Sequence, residues 1–355
     1  MKRSTLLTLP LLAWSAAAST QSSVSLYGVV DTLVGIGRGS VADRVQLMNS
    51  GNLTTRLGFR GTEDLGGGLA AGFVIEGGVM TDNGLGFATN ANNQPATAGA
   101  APASQGFTFN RRSTVSLMGP FGELRVGRDY VPSYSNMNLF DAMGNAGVGT
   151  SISALLGVTS RAPNGIRASN SVGYFLPSGL GGFYGNAMVA LGENARGTGA
   201  ATQDDGNYWG LRLGYAKGPL NVAASTGRMK FASGDMRPGN VGIRYDFGGV
   251  VGTFEYIDER IGSVVGRGIQ TGVEVRVGVG VARASYGNYK QRTGSEPFTA
   301  KLAVGYVHNL SKRTAVYATY ARVNNRGGAN YALNGSSTAA NASSSGLDLG
   351  LTHSF

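Results

Sequence analysis

Hydrophobic and polar residues alternate one by one along much of this chain, and the pattern is clearest at its end. In residues 347–355, Leu347, Leu349 and Leu351 share one parity, while Asp348 and Thr352 share the other. Successive side chains of a β-strand point to opposite faces, so this period of two predicts a strand with one apolar and one polar face. The chain stops on an aromatic residue of the apolar parity.

Similar runs recur along the chain and predict about sixteen strands. Each run is close to the ten residues that a tilted strand needs to cross a bilayer. An even number of strands brings both ends of the chain to the same side, as in bacterial single-chain barrels. The predicted strands lie near 22–36, 52–61, 69–82, 108–118, 122–130, 166–176, 182–192, 207–216, 220–229, 239–247, 250–259, 266–276, 279–289, 298–308, 313–323 and 346–355.

The connectors between these runs alternate in length. Tight, glycine-rich turns are predicted at 64–68, 119–122, 178–182, 217–219, 248–249 and 309–312. Long connectors rich in Asn, Gly, Ala and Ser are predicted at 37–51, 83–107, 131–165, 193–206 and 324–345. Short periplasmic turns and long external loops are typical of outer-membrane barrels, so the asymmetry also orients the predicted barrel.

Composition excludes a membrane protein built from helices. The chain has 355 residues, 58 of them glycine, and only 42% are hydrophobic. A closed barrel can still cross a bilayer, because its strands satisfy one another's backbone groups and half of each strand faces a water-filled lumen. A large soluble sandwich or propeller alternates in the same way. The turn asymmetry, the terminal Phe355 and the leader described next favour an all-β, sixteen-stranded antiparallel transmembrane β-barrel.

The N-terminus carries the features of a secretory signal peptide. Lys2 and Arg3 precede an apolar run at 6–14 and small residues at 15–20, which predicts a leader at 1–20 and a barrel at 21–355. Cleavage after Ala18 and after Thr20 remain alternatives. The absence of cysteine agrees with export. Loss of Lys2 and Arg3 lowers the net charge from +10 to +8. The remaining arginines are scattered singly, so no nucleic-acid partner is expected.

Five stretches, taken in order, resemble the trimeric Gram-negative general porin family in its beta-proteobacterial branch. They are 23–31 (SVSLYGVVD), 56–69 (RLGFRGTEDLGGGL), 111–117 (RRSTVSL), 121–128 (FGELRVGR) and 305–317 (GYVHNLSKRTAVY). The resemblance extends from Ser23 to Phe355 and implies an outer-membrane diffusion porin that forms a homotrimer. It also implies that the third long loop, about 131–165, folds into the lumen. The apolar residues in that loop, such as Met137 and Phe140, favour the same inward fold.

Parity predicts which charged side chains face the lumen. Arg56 and Arg60 alternate with Leu57 and Phe59, so they point inward. The same argument places Arg112, Arg125 and Arg167 in the lumen, together with the acids Glu76 and Glu123. The resemblance implies a basic cluster on the wall, matched by Arg56, Arg112 and Arg167, that faces acids on the inserted loop. Arg111 replaces Arg112 if the strand begins with a bulge, and Arg128 is ambiguous for the same reason.

Few acids are available to balance this cluster. Between 131 and 165 the only acid is Asp141, with Asp129 just before the loop, and the same span adds Arg161. Rings of arginine favour anion passage. We therefore expect a passive channel for small hydrophilic solutes and ions that prefers anions. The residues predicted to form its constriction are Arg56, Arg60, Arg111, Arg112, Arg125, Arg128, Asp129, Asp141 and Arg167.

Other functions have less support in the sequence. Tyr130 and Tyr134 near the constriction leave open a substrate-specific channel for an anionic or sugar solute. Each arginine taken singly could instead be a wall residue held by a neighbouring carboxylate. The only histidines, His308 and His353, lie beside no nucleophile motif, so no enzyme, metal or cofactor is expected. No motif supports an adhesive role. The expected partners are further copies of the chain, outer-membrane lipid and small solutes, and the small outward Gly28 is compatible with a subunit contact.

Overall fold

The computed structural model describes residues 23–90, 92–94, 104–159, 164–197 and 199–355. The predicted signal peptide, both cleavage positions, Arg161 and part of the 83–107 connector lie outside the described residues. The first described strand begins at Ser23.

Sixteen long antiparallel strands form one closed sheet. They are β1 (Ser23–Arg38), β3 (Arg56–Gly66), β4 (Leu69–Gly78), β7 (Arg112–Gly119), β8 (Gly122–Tyr130), β9 (Arg167–Phe175), β10 (Phe183–Ala190), β11 (Tyr208–Lys217), β12 (Leu220–Met229), β14 (Gly239–Asp246), β15 (Val250–Ile261), β16 (Val264–Val277), β17 (Gly280–Arg292), β18 (Phe298–Asn309), β19 (Thr314–Arg326) and β20 (Ser344–Ser354). Each pairs with its neighbour in the chain, which confirms the predicted barrel.

Four short strands supplement the barrel and were not predicted. They are β2 (Arg44–Asn49), β5 (Gly86–Phe87), β6 (Ser104–Gln105) and β13 (Met236–Arg237). β2 extends the first external connector as a hairpin on β1, while β13 bridges β12 and β15. β5 and β6 pair with each other, and Gly86 of β5 also forms a bridge to Val79, just after β4. Two external connectors are short. They are residues 262–263, between β15 and β16, and residues 293–297, between β17 and β18.

The barrel closes where its two ends meet. β1 pairs with β3 up to Val29 and with β20 from Val29 onward. At this junction the backbones of Gly28 and Phe355 exchange two hydrogen bonds of 3.1 Å. The ring of Phe355 also covers Gly28, since a Cβ atom there would lie 2.4 Å from Phe355 Cζ and 2.8 Å from the Arg56 carbonyl oxygen. The space at Gly28 is therefore filled by the chain's own C-terminal residue.

Replacing Gly28 by valine is expected to weaken this closure. The added side chain must displace Phe355 and also press on the backbone of β3, which cannot move without breaking the ladder. Overpacking of this kind costs about 1–3 kcal/mol. Denaturation of the refolded barrel in urea, followed by tryptophan fluorescence, measures the loss. Replacement of Gly252, whose Cβ would meet only Phe247 at 3.5 Å, is the matched control and should change the stability much less.

The two faces of the barrel differ as the alternation predicts. On β11, Trp209, Leu211 and Leu213 are each about half exposed on the outside, where lipid would cover them. Polar side chains of the opposite parity face the interior. No helix in the described part of the chain is long and apolar enough to span a membrane.

The third long connector contains the two helices, α1 (Pro132–Phe140) and α2 (Ile152–Leu156). Both lie inside the barrel. Val131 at the entry to α1 packs with Met188, Tyr208 and Met229, and α2 packs through Ile152 against Tyr289. Two of the three clusters of buried apolar residues are thus contacts between this inserted loop and the barrel wall. The loop therefore lies in the lumen, as the resemblance implied.

Candidate pore constriction

Hydrogen bonds fasten α1 to the wall formed by β11, β12 and β14. The amide of Asn136 donates to Asn240 Oδ1 at 2.8 Å, and its oxygen accepts from Arg212 Nε at 2.9 Å. Asn240 in turn donates to the Ser133 carbonyl at 2.9 Å. At the end of the helix, Phe140 lies directly over Gly242, where a Cβ atom would be 2.1 Å from the ring. A glycine facing inward makes room for the loop.

Asp141 holds the segment that follows α1. Its carboxylate accepts hydrogen bonds from the backbone N–H groups of Met143, Asn145 and Ser151 at 2.9, 3.1 and 3.0 Å, and from Gln270 Nε2 at 2.7 Å. Burial raises the pKa of the Asp141 carboxyl, and the backbone hydrogen bonds lower it in part. The side chain is turned toward the wall and does not line the passage.

The second half of the loop is fastened by buried polar groups on the neighbouring part of the wall, which β15, β17, β18 and β20 form. The ammonium of Lys301 donates to the Thr150 carbonyl, and the Val148 N–H donates to Asp348 Oδ2 at 2.7 Å. Tyr289 donates to Glu259 at 2.5 Å while accepting from the Val158 N–H at 2.9 Å. Basic and acidic side chains of the wall thus hold the loop in place, and they lie away from the passage.

The passage itself runs between the loop and the wall of β1, β3, β4 and β7. The wall side of this space is charged, and the described residues on the loop side are uncharged. The wall contributes Tyr27, Arg56, Arg60, Glu76, Arg111 and Arg112, whereas the loop contributes Tyr134, Ser135, Asn138 and Gly144. Burial raises the pKa of Tyr134, so its phenol stays uncharged. The described loop residues bring no acid to the passage.

Glu76 is the main acid of this wall. Its carboxylate lies 2.6 Å from Arg111 Nε and 3.4 Å from Arg56 Nε, and it accepts a hydrogen bond of 3.0 Å from the Tyr27 hydroxyl. One carboxylate is therefore shared by two guanidinium groups. Its side chain is 8% exposed, whereas that of Arg56 is 28% exposed and reaches the water of the passage.

Asp129 has the same role on the neighbouring strand β8. Its carboxylate contacts Arg125 Nη1 and lies 3.1 Å from Arg112 Nε, without hydrogen-bond geometry in the second case. Arg125 is also paired with Glu123 at 2.9 Å, and it lies 4.1 Å above the ring of Phe175. Arg125 is thus balanced by two carboxylates, whereas Arg112 shares a single carboxylate.

Tyr130 joins the remaining wall arginines to the loop. Its hydroxyl accepts hydrogen bonds from Arg111 at 2.6 Å and from Arg167 at 2.8 Å. The guanidinium of Arg167 also lies 4.4 Å from the centre of this ring, and the ring is stacked on Tyr134 at 5.5 Å. A guanidinium over an aromatic face is stabilised without losing its charge. The Tyr130 ring therefore holds the Arg167 guanidinium beside the constriction.

Two predicted members of the site, Arg60 and Arg128, are not paired with a carboxylate in the described part of the chain. Arg60 faces the passage with only the ring of Tyr27 beside it, at 5.1 Å. Arg128 points elsewhere: it donates to the Asn110 and Asn90 carbonyls and to the Ser169 hydroxyl at 2.6, 3.2 and 2.7 Å. It anchors the second external loop and does not line the passage.

The arrangement leaves an excess of positive charge. Among the described residues, six arginines gather at this wall with three carboxylates. The arginines are Arg56, Arg60, Arg111, Arg112, Arg125 and Arg167, and the carboxylates are Glu76, Glu123 and Asp129. Neither Arg60 nor Arg167 has a carboxylate partner in the described part of the chain. Both candidates for the first position of β7, Arg111 and Arg112, reach the passage.

Sequence reasoning missed the residues that hold the loop. Asn136, Gln270 and Lys301 show no motif, because each matters only through a partner distant in the chain. The inward glycines offered a usable signal. Gly242, Gly268 and Gly272 share the inward parity on β14 and β16, and each would clash with the loop if it carried a Cβ atom. A row of inward glycines thus marks where an inserted segment packs.

Replacing Glu76 by glutamine is expected to raise the preference for anions. The change keeps the shape of the side chain and removes the charge that Arg56 and Arg111 share. One unit charge at about 4 Å in water is worth about 1 kcal/mol. This is about fivefold for each ion, in opposite directions, so the ratio of chloride to potassium permeability should rise at least about fivefold. The reversal potential in a salt gradient measures it. An unchanged potential would mean that Glu76 does not act on ions in the passage.

Comparisons with known proteins agree with the barrel architecture. The family model described as "Gram-negative porin" matches residues 5–328. The chain is 35% identical to outer membrane porin protein 32 of Delftia acidovorans, over the full length of both. It is 28% identical to an outer membrane porin protein of Bordetella pertussis, covering 90% of this chain and 93% of that protein.

Solved structures show the same architecture. The anion-selective porin from Comamonas acidovorans superimposes with a TM-score of 0.79 at 33% identity, covering 94% of this chain and all of that one. OmpT of Vibrio cholerae, folded in vitro, gives a TM-score of 0.64 at 14% identity, with 94% and 98% coverage. At that identity the second match concerns the fold alone.

Proposed function

Because the chain belongs to the Gram-negative porin family, we propose that small hydrophilic solutes and ions diffuse passively through its barrel across the outer membrane, and that its constriction favours anions. A pore needs no reacting group, since it selects by radius, lining dipoles and fixed charge. We accordingly assign no chemical step to any residue.

One observation carries the anion preference: a wall rich in arginine faces loop residues that, where the structure describes them, carry no charge. A balanced arrangement would place acids on the loop and create a field across the passage with little net sign. Here the only acid of the loop is Asp141. Its carboxylate is hydrogen-bonded to backbone N–H groups on the side of the loop that faces away from the passage. The passage therefore holds a net positive potential, which concentrates anions and repels cations.

The reversal potential of the purified protein in a planar bilayer tests this proposal. Under a tenfold gradient of potassium chloride, an ideally selective pore approaches about 59 mV. We expect the anionic sign and a potential that grows when both salt concentrations are lowered, because salt screens the fixed charges less. A potential of cationic sign would refute the role given to the arginines while leaving the barrel unaffected. Failure to conduct would refute the pore.

We also propose that three copies of the chain assemble. An apolar groove on the outside of β1, β3, β4 and β7, lined by Val24, Gly61, Phe73 and Val115, supports a protein contact on this sector. Mild chemical cross-linking of the protein in detergent should yield dimers and trimers and no larger species. Monomers alone would oppose the assembly.

We propose further that residues 1–20 are removed on export as a signal peptide. The intact mass of the protein from the outer membrane distinguishes cleavage after Ala18 from cleavage after Thr20.

A substrate-specific channel for an anionic or sugar solute is the second candidate. Tyr130 and Tyr134 would supply the aromatic surface that a sugar stacks on, but they stack on each other, and Arg111 and Arg167 occupy the Tyr130 hydroxyl. This favours general diffusion. Addition of a sugar or a small organic acid to a conducting channel tests the difference, because saturable block of the current at low concentration would indicate a specific site.

A further inference from the structure

A short segment interrupts the strand that runs beside β1. β3 pairs with β1 as far as Arg56, and β2 resumes the pairing at Asn49. Between them, residues 50–55 lie opposite only two residues of β1, Val30 and Asp31. Extra residues in one strand leave the ladder and form a bulge. We call residues 50–55 the inner bulge.

Asp31 holds the inner bulge on the lumen side of the sheet. This residue is fully buried and has the parity of Tyr27, which lines the passage. Its carboxylate accepts hydrogen bonds from the backbone N–H groups of Gly51, Asn52 and Leu53 at 2.9, 3.1 and 2.8 Å. Three successive N–H groups bound to one carboxylate fix the backbone of the bulge in a single position.

Contacts with distant strands show how far the inner bulge reaches inside the barrel. Tyr317 of β19 donates to Asp31 at 2.5 Å, and its hydroxyl fills the space where a Cβ atom of Gly51 would lie. On β17, Arg283 Nη1 donates to Asn52 Oδ1 at 3.1 Å. β17 is the fourth strand from β1 around the barrel. At about 4.8 Å between strands, the bulge and its partners thus cover about 19 Å of wall.

The inner bulge is also in contact with the inserted loop. Gly147 of that loop packs so closely on the Gly51 carbonyl that a Cβ atom at Gly147 would overlap it. The next residue of the loop, Val148, is held by Asp348 of β20. The bulge and the loop are therefore two separate segments of the chain that meet inside the lumen, beside β19 and β20.

Two residues of the inner bulge reach the passage. Leu53 and Thr54 line the same space as the arginine wall, and Leu53 is 38% exposed. The Thr54 carbonyl accepts a hydrogen bond of 2.9 Å from Arg56 Nη1. Six residues that span a two-residue gap can project up to about 10 Å from the wall. The bulge therefore adds an uncharged edge to the passage, beside the arginines.

We propose that the inner bulge is a second constriction element, distinct from the inserted loop, and that its Leu53 limits the size of the solutes that pass. This role rests on the diffusion pore proposed above. A pore selects by radius as well as by fixed charge, and the bulge contributes to the radius alone. Its sequence, SGNLTT, brings no charged side chain to the passage, so the arginine wall still determines the sign of the selectivity.

Deletion of residues 51–54 tests the effect of the inner bulge on the radius. Ser50 and Thr55 would then complete a regular ladder with β1, and removal of an even number of residues leaves every other side chain on its own face of the sheet. The single-channel conductance in a planar bilayer should rise and stay steady. In a liposome-swelling assay, entry of the uncharged trisaccharide raffinose should rise by a larger factor than entry of arabinose, because widening favours the larger solute most.

The variant Leu53→Trp changes the inner bulge without shortening it. The larger side chain should lower the single-channel conductance and slow raffinose more than arabinose. Leu211→Trp is the matched control, because Leu211 lies on the outside of β11 and is 48% exposed there, and it should conduct like the original protein. The reversal potential should keep its sign in all three variants.

Two results would overturn the role of the inner bulge. One is an unchanged ratio of raffinose to arabinose entry in the deletion variant, which would mean that the bulge only anchors the inserted loop. The other is equal conductance of Leu53→Trp and the original protein, and this result decides even if the deletion variant fails to insert. Either result, obtained while the original protein conducts, leaves the pore itself intact. Only an original protein that does not conduct would refute the pore.

Discussion

Replacing Arg60 and Arg167 by serine is expected to remove much of the anion preference. These are the arginines at the constriction wall without a carboxylate partner in the described part of the chain, so their charge acts on ions with little local compensation. Each charge is worth about 1 kcal/mol to an ion about 4 Å away in water. The double variant should therefore lower the ratio of chloride to potassium permeability by roughly 20-fold or more. The reversal potential in a potassium chloride gradient measures the change.

Two controls separate charge from shape in this experiment. Arg60→Lys keeps the charge at the wall and should retain the selectivity that Arg60→Ser loses. Arg322→Ser removes a charge from the outside of β19, where Arg322 is exposed between buried Ala321 and Val323, and should leave the potential unchanged. If the serine double variant were as anion-selective as the original protein, the arginine wall would not be the source of selectivity.

Replacing Asp141 by alanine is expected to detach the middle of the inserted loop. Three backbone N–H groups and the Gln270 amide would lose their acceptor inside the barrel. Each buried donor left unsatisfied costs about 1–3 kcal/mol. Buried Lys301 would also lose one of the two carboxylates that offset its charge. The loop should then sample positions away from the wall, and the sixteen-stranded sheet should remain intact.

Limited proteolysis and single-channel recording together measure this detachment. Chymotrypsin added to the folded barrel should cut the variant near Phe140 or Tyr134, where the original protein resists cleavage. The single-channel current should also fluctuate more. Asp246→Ala is the control, because Asp246 ends β14 at the tight turn before β15, and among the described residues its carboxylate accepts only from the nearby Gly248 N–H. Equal resistance of the Asp141 variant would show that other contacts suffice to hold the loop.

The strands were predictable because each carries its own signal. A tilted membrane strand alternates residue by residue, so its face and approximate ends can be read without knowing its neighbours. β8 and β12 begin and end as predicted. The external connectors were harder, since β2 and β13 are short strands whose pairing depends on the length of adjacent barrel strands. The sequence of residues 44–49 and 236–237 contains no local pattern that predicts these two strands.

The site was predictable to the extent that it follows parity. Arg56, Arg60 and Arg112 lie on regular strand backbone and face the passage, as alternation implies. Arg128 lies where β8 shifts register against β9, between Gly127 and Asp129, and Gly127 has a φ of 126°. Such an irregularity redirects the side chain, so parity cannot place it. Arg128 therefore joins the second external loop to the wall instead of lining the pore.

The sequence by itself determined the barrel, its orientation and a positive wall, because a period of two and the lengths of connectors are properties of neighbouring residues. Only the tertiary structure decided how that wall is balanced. The inserted loop turns Asp141 toward Gln270 and its own backbone, and it presents Tyr134, Ser135 and Asn138 to the passage. Which side of a loop faces an opening depends on contacts with strands more than a hundred residues away, such as that of Asp141 with Gln270. No local pattern encodes such contacts, which bring the arginine wall opposite loop residues that, in the described part of the chain, carry no charge.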